Sequence, residues 1–254
     1  HPDRVLEIHR DYLEAGAEVI ITNTFTMNRI NLASHGLEID VKEVNLAGAG
    51  LARRAAGDGG YVCGDLSSTG QLLEPYGSCS EKEFYDNFKE QAAYLAAGGV
   101  DGFIVETMTD LREALCALRA CKDVSNLPVI VSLAFSHLAK GGRTIMGDSV
   151  SRAAAALEEG GAEAVGANCG DLDPLEMAAI AELFKRETAL PIMIMPNAGK
   201  PKLVEGETVF DMGPEEFTEG LLKCVAGGAS IVGGCCGTGP AHIRAAARSL
   251  GKKS

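Results

Sequence analysis

The sequence predicts an α/β protein with a parallel sheet, arranged as a (β/α)8 TIM barrel that lacks its first strand. Three observations predict this class. Helical segments end in glycine and an apolar run begins two or three residues later, at Ala15-Gly16-Ala17-Glu18-Val19, Gly98-Gly99-Val100-Asp101, Gly160-Gly161-Ala162-Glu163 and Gly227-Gly228-Ala229-Ser230. Glycine just past a helix takes the left-handed conformation that caps it, and short continuous apolar runs suit strands buried on both faces. Strands and helical segments alternate strictly, the pattern of a parallel fold. Polar residues collect after the strands, at Thr22-Asn23-Thr24, Gly64-Asp65-Leu66-Ser67, Glu106-Thr107, Asn168-Cys169, Pro196-Asn197-Ala198-Gly199 and Cys235-Cys236, where barrel enzymes place their chemistry. A doubly wound open sheet is the alternative architecture.

The chain begins with a helix, marked by Pro2 near its start and by Val5, Ile8 and Tyr12 on one face. Strands are expected at 18–24, 60–66, 101–107, 127–135, 162–169, 190–197 and 229–235. Between them, Val44, Ala47, Leu51 and Ala55 mark one helix face, and Phe84, Phe88, Ala92 and Leu95 another. Residues 203–213 form an excursion between a strand and its helix. No linker or charge block divides the chain, so residues 1–254 are expected to form a single barrel domain. Seven strands fall short of the eight that close a barrel. The expectation is therefore an upstream segment supplying strand one, or a gap beside residues 19–22 and 231–234, whose backbone groups would be left unpaired.

Composition narrows the function. Hydrophobic residues at 46% and charged residues at 23% describe an ordinary globular chain. A formal charge of −12 argues against nucleic acid and anionic membrane surfaces, both of which attract basic patches. No apolar run reaches membrane-spanning length and no signal-peptide pattern is present, so a cytoplasmic location is the default. In a reducing compartment, clustered cysteines bind metal or do chemistry more often than they form disulfides. Cys63, Cys79, Cys116, Cys121 and Cys224 are scattered and read as small buried hydrophobes.

The other three are not scattered. Cys235 and Cys236 follow an apolar run, inside Gly233-Gly234-Cys235-Cys236-Gly237-Thr238-Gly239-Pro240. Adjacent side chains on a strand point to opposite faces, so two neighbouring thiols serve one site only where the strand has ended and glycines let the backbone bend. Cys169 ends another strand after Asn168. Three thiols at strand ends read as a catalytic zinc site with one exchangeable position; buried small residues or a redox pair are the plainer readings. Such a site suits thiol substrates. A thiol of pKa near 8.5 is only about 3% thiolate at pH 7, whereas coordination to zinc deprotonates it outright.

These segments resemble the homocysteine S-methyltransferase family, which includes the homocysteine-binding module of cobalamin-dependent methionine synthase and betaine–homocysteine methyltransferase. The likeness runs through His9, Ala15-Gly16-Ala17, Thr22-Asn23-Thr24-Phe25, Asn28-Arg29, Ala52-Arg53-Arg54-Ala55-Ala56, Gly64-Asp65, Thr69-Gly70, Val105-Glu106-Thr107, Asn168-Cys169, Pro196-Asn197-Ala198-Gly199 and Gly233 to Thr238. It implies a barrel with one zinc held by Cys169, Cys235 and Cys236, and methyl transfer to a zinc-bound homocysteine sulfur to give methionine. It also implies that Glu106, the expected catalytic and substrate-binding carboxylate, receives the substrate ammonium, and that Asn197 stands near the metal, as a ligand when substrate is absent; Asn23 and Asn197 are the other expected substrate-binding residues. Asn23 and Asp65 are expected to organise the mouth. His242 reads as a helix-surface residue, and His137 as a residue that could line the mouth.

The chain departs from the family pattern at Leu66-Ser67-Ser68, at Gly170-Asp171-Leu172-Asp173-Pro174 and at Thr26, and it shows no first strand with an Asp-Gly motif. The donor is left open between methylcobalamin on another domain or protein, a sulfonium and a quaternary amine. Homocysteine or another small thiol is the expected partner, with a corrinoid protein as a further candidate. Two other readings compete: a methyl-acceptor subunit working only with a corrinoid partner, and a phosphate-binding barrel isomerase or aldolase that would use the glycines before the last helix.

Overall fold

The computed structural model describes residues 1–136 and 138–251. The elements follow in order: α1 (Pro2–Glu14), β1 (Val19–Ile21), α2 (Arg29–Ser34), α3 (Val41–Ala56), β2 (Tyr61–Ser67), α4 (Glu81–Ala97), β3 (Gly102–Met108), α5 (Leu111–Val124), β4 (Val129–Leu133), α6 (Val150–Glu159), β5 (Ala164–Asn168), α7 (Pro174–Glu187), β6 (Ile192–Met195), β7 (Lys202–Val204), β8 (Glu207–Val209), α8 (Pro214–Ala226), β9 (Ile231–Val232) and α9 (Pro240–Ser249). Seven strands pair in parallel in the order β1-β2-β3-β4-β5-β6-β9. Each of the seven expected strands is present. Among the described residues β1 pairs only with β2, and β9 only with β6, so the sheet curls without closing and those two strands are its edges. The expected excursion after β6 carries the antiparallel hairpin β7–β8, turned at Glu205 and Gly206, both at positive φ.

The helices start where their caps dictate. Asp40 accepts from the Glu43 amide, Ser80 and Glu83 form a capping box, and Asp173 and Glu176 form another ahead of Pro174. At the paired glycines the first stays right-handed, and the second, at Gly99, Gly161 and Gly228, takes the positive φ that turns the chain into the next strand.

Period-two alternation sorts the strand residues into two cores. Val62, Phe103, Val105, Val129, Val131, Val165, Ile192 and Ile194 face outward under the helices, joined by Phe84, Phe88, Ala92 and Leu95 of α4. Cys63, Ile104 and Met193, with the half-buried Ile21, Ile130, Met195 and Ile231, fill the inside of the curl. On α3 the buried face is Val41, Asn45, Gly48, Ala49 and Ala52 rather than the expected Val44, Ala47, Leu51 and Ala55. The reason is close approach. A Cβ on Gly48 would stand 2.5 Å from Thr24 Cγ2. Asn45 also tolerates burial, because its amide donates to Met27 O and Val41 O and accepts from Gln91.

Candidate metal centre

Above the inner apolar layer, the C-terminal strand ends carry polar side chains. The backbone brings three thiols together there. Cys169 follows β5 directly and has φ 58°, so the chain turns at the cysteine itself. Cys235 and Cys236 follow β9, where the loop bends at Gly237, φ 78°. A Cβ at Gly237 would lie 2.3 Å from that of Phe210, so only glycine lets this loop pass beneath the segment before α8.

The Cys169 and Cys236 sulfurs lie 3.8 Å apart, and all three Sγ atoms fall within 4.8 Å of one another. Zinc–sulfur bonds of about 2.3 Å at the tetrahedral angle place sulfurs roughly 3.8 Å apart. The spacing and the soft donor set therefore fit zinc. Without a metal the thiols share their protons. Hydrogen bonds from Cys169 and Cys235 push Cys236 well down, while the bond to Cys169 and then that to Cys236 push Cys235 far up. For Cys169 a bond from Cys235 pulls downward, but the bond to Cys236 and burial carry it net upward. Three uncompensated thiolates this close repel one another, and a divalent cation removes that repulsion.

Two asparagines hold the arrangement. Asn197 is buried after β6; its Nδ2 donates to Gly170 O at 2.8 Å and its Oδ1 accepts from the Cys236 amide at 3.1 Å. One side chain thus ties the Cys169 loop to the Cys236 loop. Both polar ends of its amide are engaged by backbone, which makes it a positioning residue for the thiols. Asn168, buried at the end of β5, links the thiols to the carboxylate side. Its Oδ1 accepts from Thr107 N at 2.8 Å and Ser132 Oγ at 2.7 Å. Its Nδ2 donates to Thr107 Oγ1 at 2.7 Å and Glu106 Oε2 at 3.1 Å, with Cys235 Sγ 3.7 Å away. The sequence signals for Asn168 are its place as a polar residue ending an apolar strand directly before a cysteine, and its part in the Asn168-Cys169 segment of the family resemblance.

Glu106 projects inward from β3 and is 5% exposed. Burial, and next the nearby Cys169, push its carboxyl up to about 7. Asp65 of β2 is buried beside it. Asn23 is exposed at the end of β1, at the same end of the sheet but outside the hydrogen-bonded group. His242 is a cap as much as a surface residue: Nδ1 accepts from the Gly239 amide at 3.1 Å, Nε2 lies 3.0 Å from Met212 O, and the ring packs edge-on against Phe217. His137 lies outside the described residues. Cys63, Cys121 and Cys224 are buried, and Cys79 and Cys116 half-buried, all apart from the cluster. Among the described residues no helix is long and apolar enough to cross a membrane.

Known proteins carry the same architecture. The methionine synthases of Mycobacterium tuberculosis (strain ATCC 25618 / H37Rv) and Mycobacterium leprae (strain TN) are 33% and 32% identical over 263 residues, covering 98% and 99% of this chain but 22% and 21% of theirs. The chain thus spans about a fifth of the length of these curated relatives. The crystal structure of the homocysteine methyltransferase MmuM from Escherichia coli in its metallated form superposes with a TM-score of 0.80 at 23% identity, covering 98% of this chain and 85% of that one. Its apo form gives 0.74 at 22% identity. A family model described as homocysteine S-methyltransferase matches residues 1–250, and the chain belongs to that family.

Proposed function

We propose that this chain is the acceptor-activating barrel of a zinc-dependent thiol S-methyltransferase that methylates homocysteine to methionine. The observation that carries the reading is the trio of thiols from two strand ends, at the spacing a tetrahedral zinc requires. Zinc held by Cys169, Cys235 and Cys236 would keep one exchangeable position, where an incoming thiol gives up its proton and becomes a nucleophile at neutral pH. The chain's own residues do the rest. Asn197 fixes the two thiol-bearing loops against each other. Asn168 holds the Glu106 carboxylate beside the cluster, so a substrate whose sulfur reaches the metal can set its ammonium against Glu106. The apolar layer of Ile104 and Met193 closes the floor of the mouth and keeps bulk water from below. Direct displacement on a methyl group demands alignment of sulfur, carbon and leaving group, and two fixed ends on the acceptor supply it.

The methyl donor comes from outside this chain. Methylcobalamin on another domain or on a corrinoid protein is the donor we favour, because the methionine synthases that the chain matches are several times longer than the matched region. A cytoplasmic setting, which keeps thiols reduced, suits the cluster.

Metal analysis combined with a homocysteine titration tests the reading. One zinc per chain is expected, with release of about one proton when homocysteine binds near neutral pH, seen as a dependence of the calorimetric heat on buffer ionisation enthalpy. Protein purified without zinc that also fails to take it up, or homocysteine binding with no proton release, would overturn it.

A further inference from the structure

Glu113 is a buried carboxylate that the metal centre does not use. It lies in the first turn of α5 and is 2% exposed. It stands three residues after the cap Asp110, the place from which Glu83 and Glu176 close the capping boxes of α4 and α7. Glu113 reaches away from its own helix instead, to a turn 44 residues earlier in the chain. Its Oε1 accepts from the Thr69 amide at 2.7 Å and from Thr69 Oγ1 at 2.8 Å, and its Oε2 accepts from Ser68 Oγ at 2.9 Å. Burial pushes the carboxyl up, and these three bonds pull against that rise. Hydrogen bonds to a carboxylate are shorter and stronger than neutral ones, so the grip on the turn is firm.

The gripped turn opens the β2–α4 connection at the mouth. Thr69 is fully buried, and its carbonyl accepts from Asn31 Nδ2 at 3.3 Å, which ties α2 to the same point. Just before it, Ser67 Oγ donates to the backbone carbonyl of Glu106 at 2.9 Å. Ser67 and Ser68 are two positions at which this chain departs from the family pattern, and both hydroxyls are engaged in these bonds. Glu106 depends on such a contact. The β3–β4 register shifts between Val105 and Met108, so Glu106 and Thr107 fall where that ladder is broken, and Thr107 turns to φ 58°. Irregular pairing of this kind re-aims side chains beside active sites. Asn168 holds the irregular stretch from β5, and Ser67 holds it from β2.

We propose that Glu113 is a positioning residue of the mouth, which sets Glu106 for the acceptor by clamping the Ser67-Ser68-Thr69 turn. The inference rests on the thiol-methyltransferase reading above and deepens it by adding a residue that acts from behind the site. Among the described residues the hydrogen-bond partners of Glu113 are Ser68 and Thr69, so its effect travels through backbone position. Without the clamp Ser67 no longer fixes the Glu106 carbonyl, and the acceptor ammonium loses a stationary partner. Displacement by about 1 Å far from the reacting atoms can cost on the order of a hundredfold. The thiols follow β5 and β9, on other strands, so metal binding is spared.

The test compares Glu113→Ala and Glu113→Gln with the wild type, all loaded with zinc. Glutamine can keep the bonds, its oxygen accepting from Thr69 and its amide donating to Ser68 Oγ, whereas alanine keeps none. Glu113→Ala is expected to weaken homocysteine by about tenfold or more in calorimetry, to keep wild-type zinc affinity, and to exchange the Thr69 amide for deuterium about tenfold faster or more. Glu113→Gln is expected to bind homocysteine within about threefold of wild type. Wild-type homocysteine affinity in a folded Glu113→Ala overturns the inference. So does an equal loss of homocysteine and zinc affinity, the mark of general loosening, and so does a glutamine variant as weak as alanine. Should Glu113→Ala fail to fold, Thr69→Val, which loses one clamp bond, is compared with Thr69→Ser, which keeps it. Homocysteine is expected to bind about threefold or more weakly to the valine variant than to the serine variant, and equal affinities overturn the inference. Failure of homocysteine to bind the zinc-loaded wild type would instead sink the thiol-methyltransferase reading, and this inference with it.

Discussion

The two sides of the barrel mouth are built on different principles. On the β2–β3 side, Asp65 and Glu106 stand on strands, 3% and 5% exposed, inside the sheet's own hydrogen-bond ladder. On the β5–β9 side, the thiols stand past the strand ends on bent backbone; Cys169 and Cys235 are half-buried and Cys236 is exposed. Rigid strands suit recognition, because fixed charges discriminate best when they cannot relax. Loops suit a centre that must stay open to an incoming ligand. Asn168 crosses between the two sides and registers one against the other.

Removing thiols should break the comparison most severely. Cys235→Ala with Cys236→Ala is expected to lose zinc and more than about a hundredfold of methyl transfer, beyond the 10- to 100-fold typical of outer partners, while the fold persists by circular dichroism. Stoichiometric zinc retained in the double variant would show that the loop side is not the metal side.

The carboxylate side should show itself through pH in the zinc-free protein. A buried carboxyl with a raised folded pKa holds its proton more tightly folded than unfolded. The contribution of Glu106 is therefore complete below its ordinary 4.5 and is lost as pH rises through about 7. Denaturant unfolding between pH 4 and 8 should show stability falling across that window, by an upper bound of about 3 kcal/mol from this group. Glu106→Gln should make the curve shallower by the share of Glu106, leaving the fall that the raised Asp65 carboxyl contributes. A variant curve parallel to wild type would place the titration elsewhere.

The smallest effect is expected at the tie between the two thiol loops. Asn197→Ala leaves every sulfur in place but frees the Gly170 carbonyl and the Cys236 amide. Zinc affinity, measured by competition with a chelator, should fall about 10- to 100-fold, while the fold persists by circular dichroism. Equal affinity would mean that the backbone bonds from Cys235 N to Pro196 O and from Ala198 N to Cys236 O hold the loops unaided.

How legible these two sides were follows from the range of the interactions involved. The strands announced themselves because a parallel sheet covered on its outer face and packed within needs continuous apolar runs, as in Phe103-Ile104-Val105 and Ile192-Met193-Ile194. The thiol pair announced itself through local chemistry, neighbouring cysteines on glycine-rich backbone. The roles of Asn168 and Asn197 did not. Their partners lie 61, 27 and 39 residues away in sequence, and an asparagine that bridges two loops reads like one that fills a turn. The buried face of α3 was hidden for a related reason: Gly48 and Asn45 earn burial through Thr24, Met27 and Gln91, none of them on that helix. Asp65 Oδ1 is buried without a hydrogen-bond partner among the described residues, a property of what does not surround it, which no spacing encodes.

The left-handed turn at Cys169 carries a consequence for how this protein can be altered. Glycine and asparagine occupy that conformation most readily, and a cysteine held there costs on the order of 1–3 kcal/mol. The residue that the backbone prefers and the residue that the proposed metal site needs are therefore different. Selection for thermal tolerance alone would drift toward Cys169→Gly or Cys169→Asn, giving hardier proteins that lack the proposed third thiolate. In the proposed enzyme, sturdiness and zinc binding thus oppose each other at Cys169.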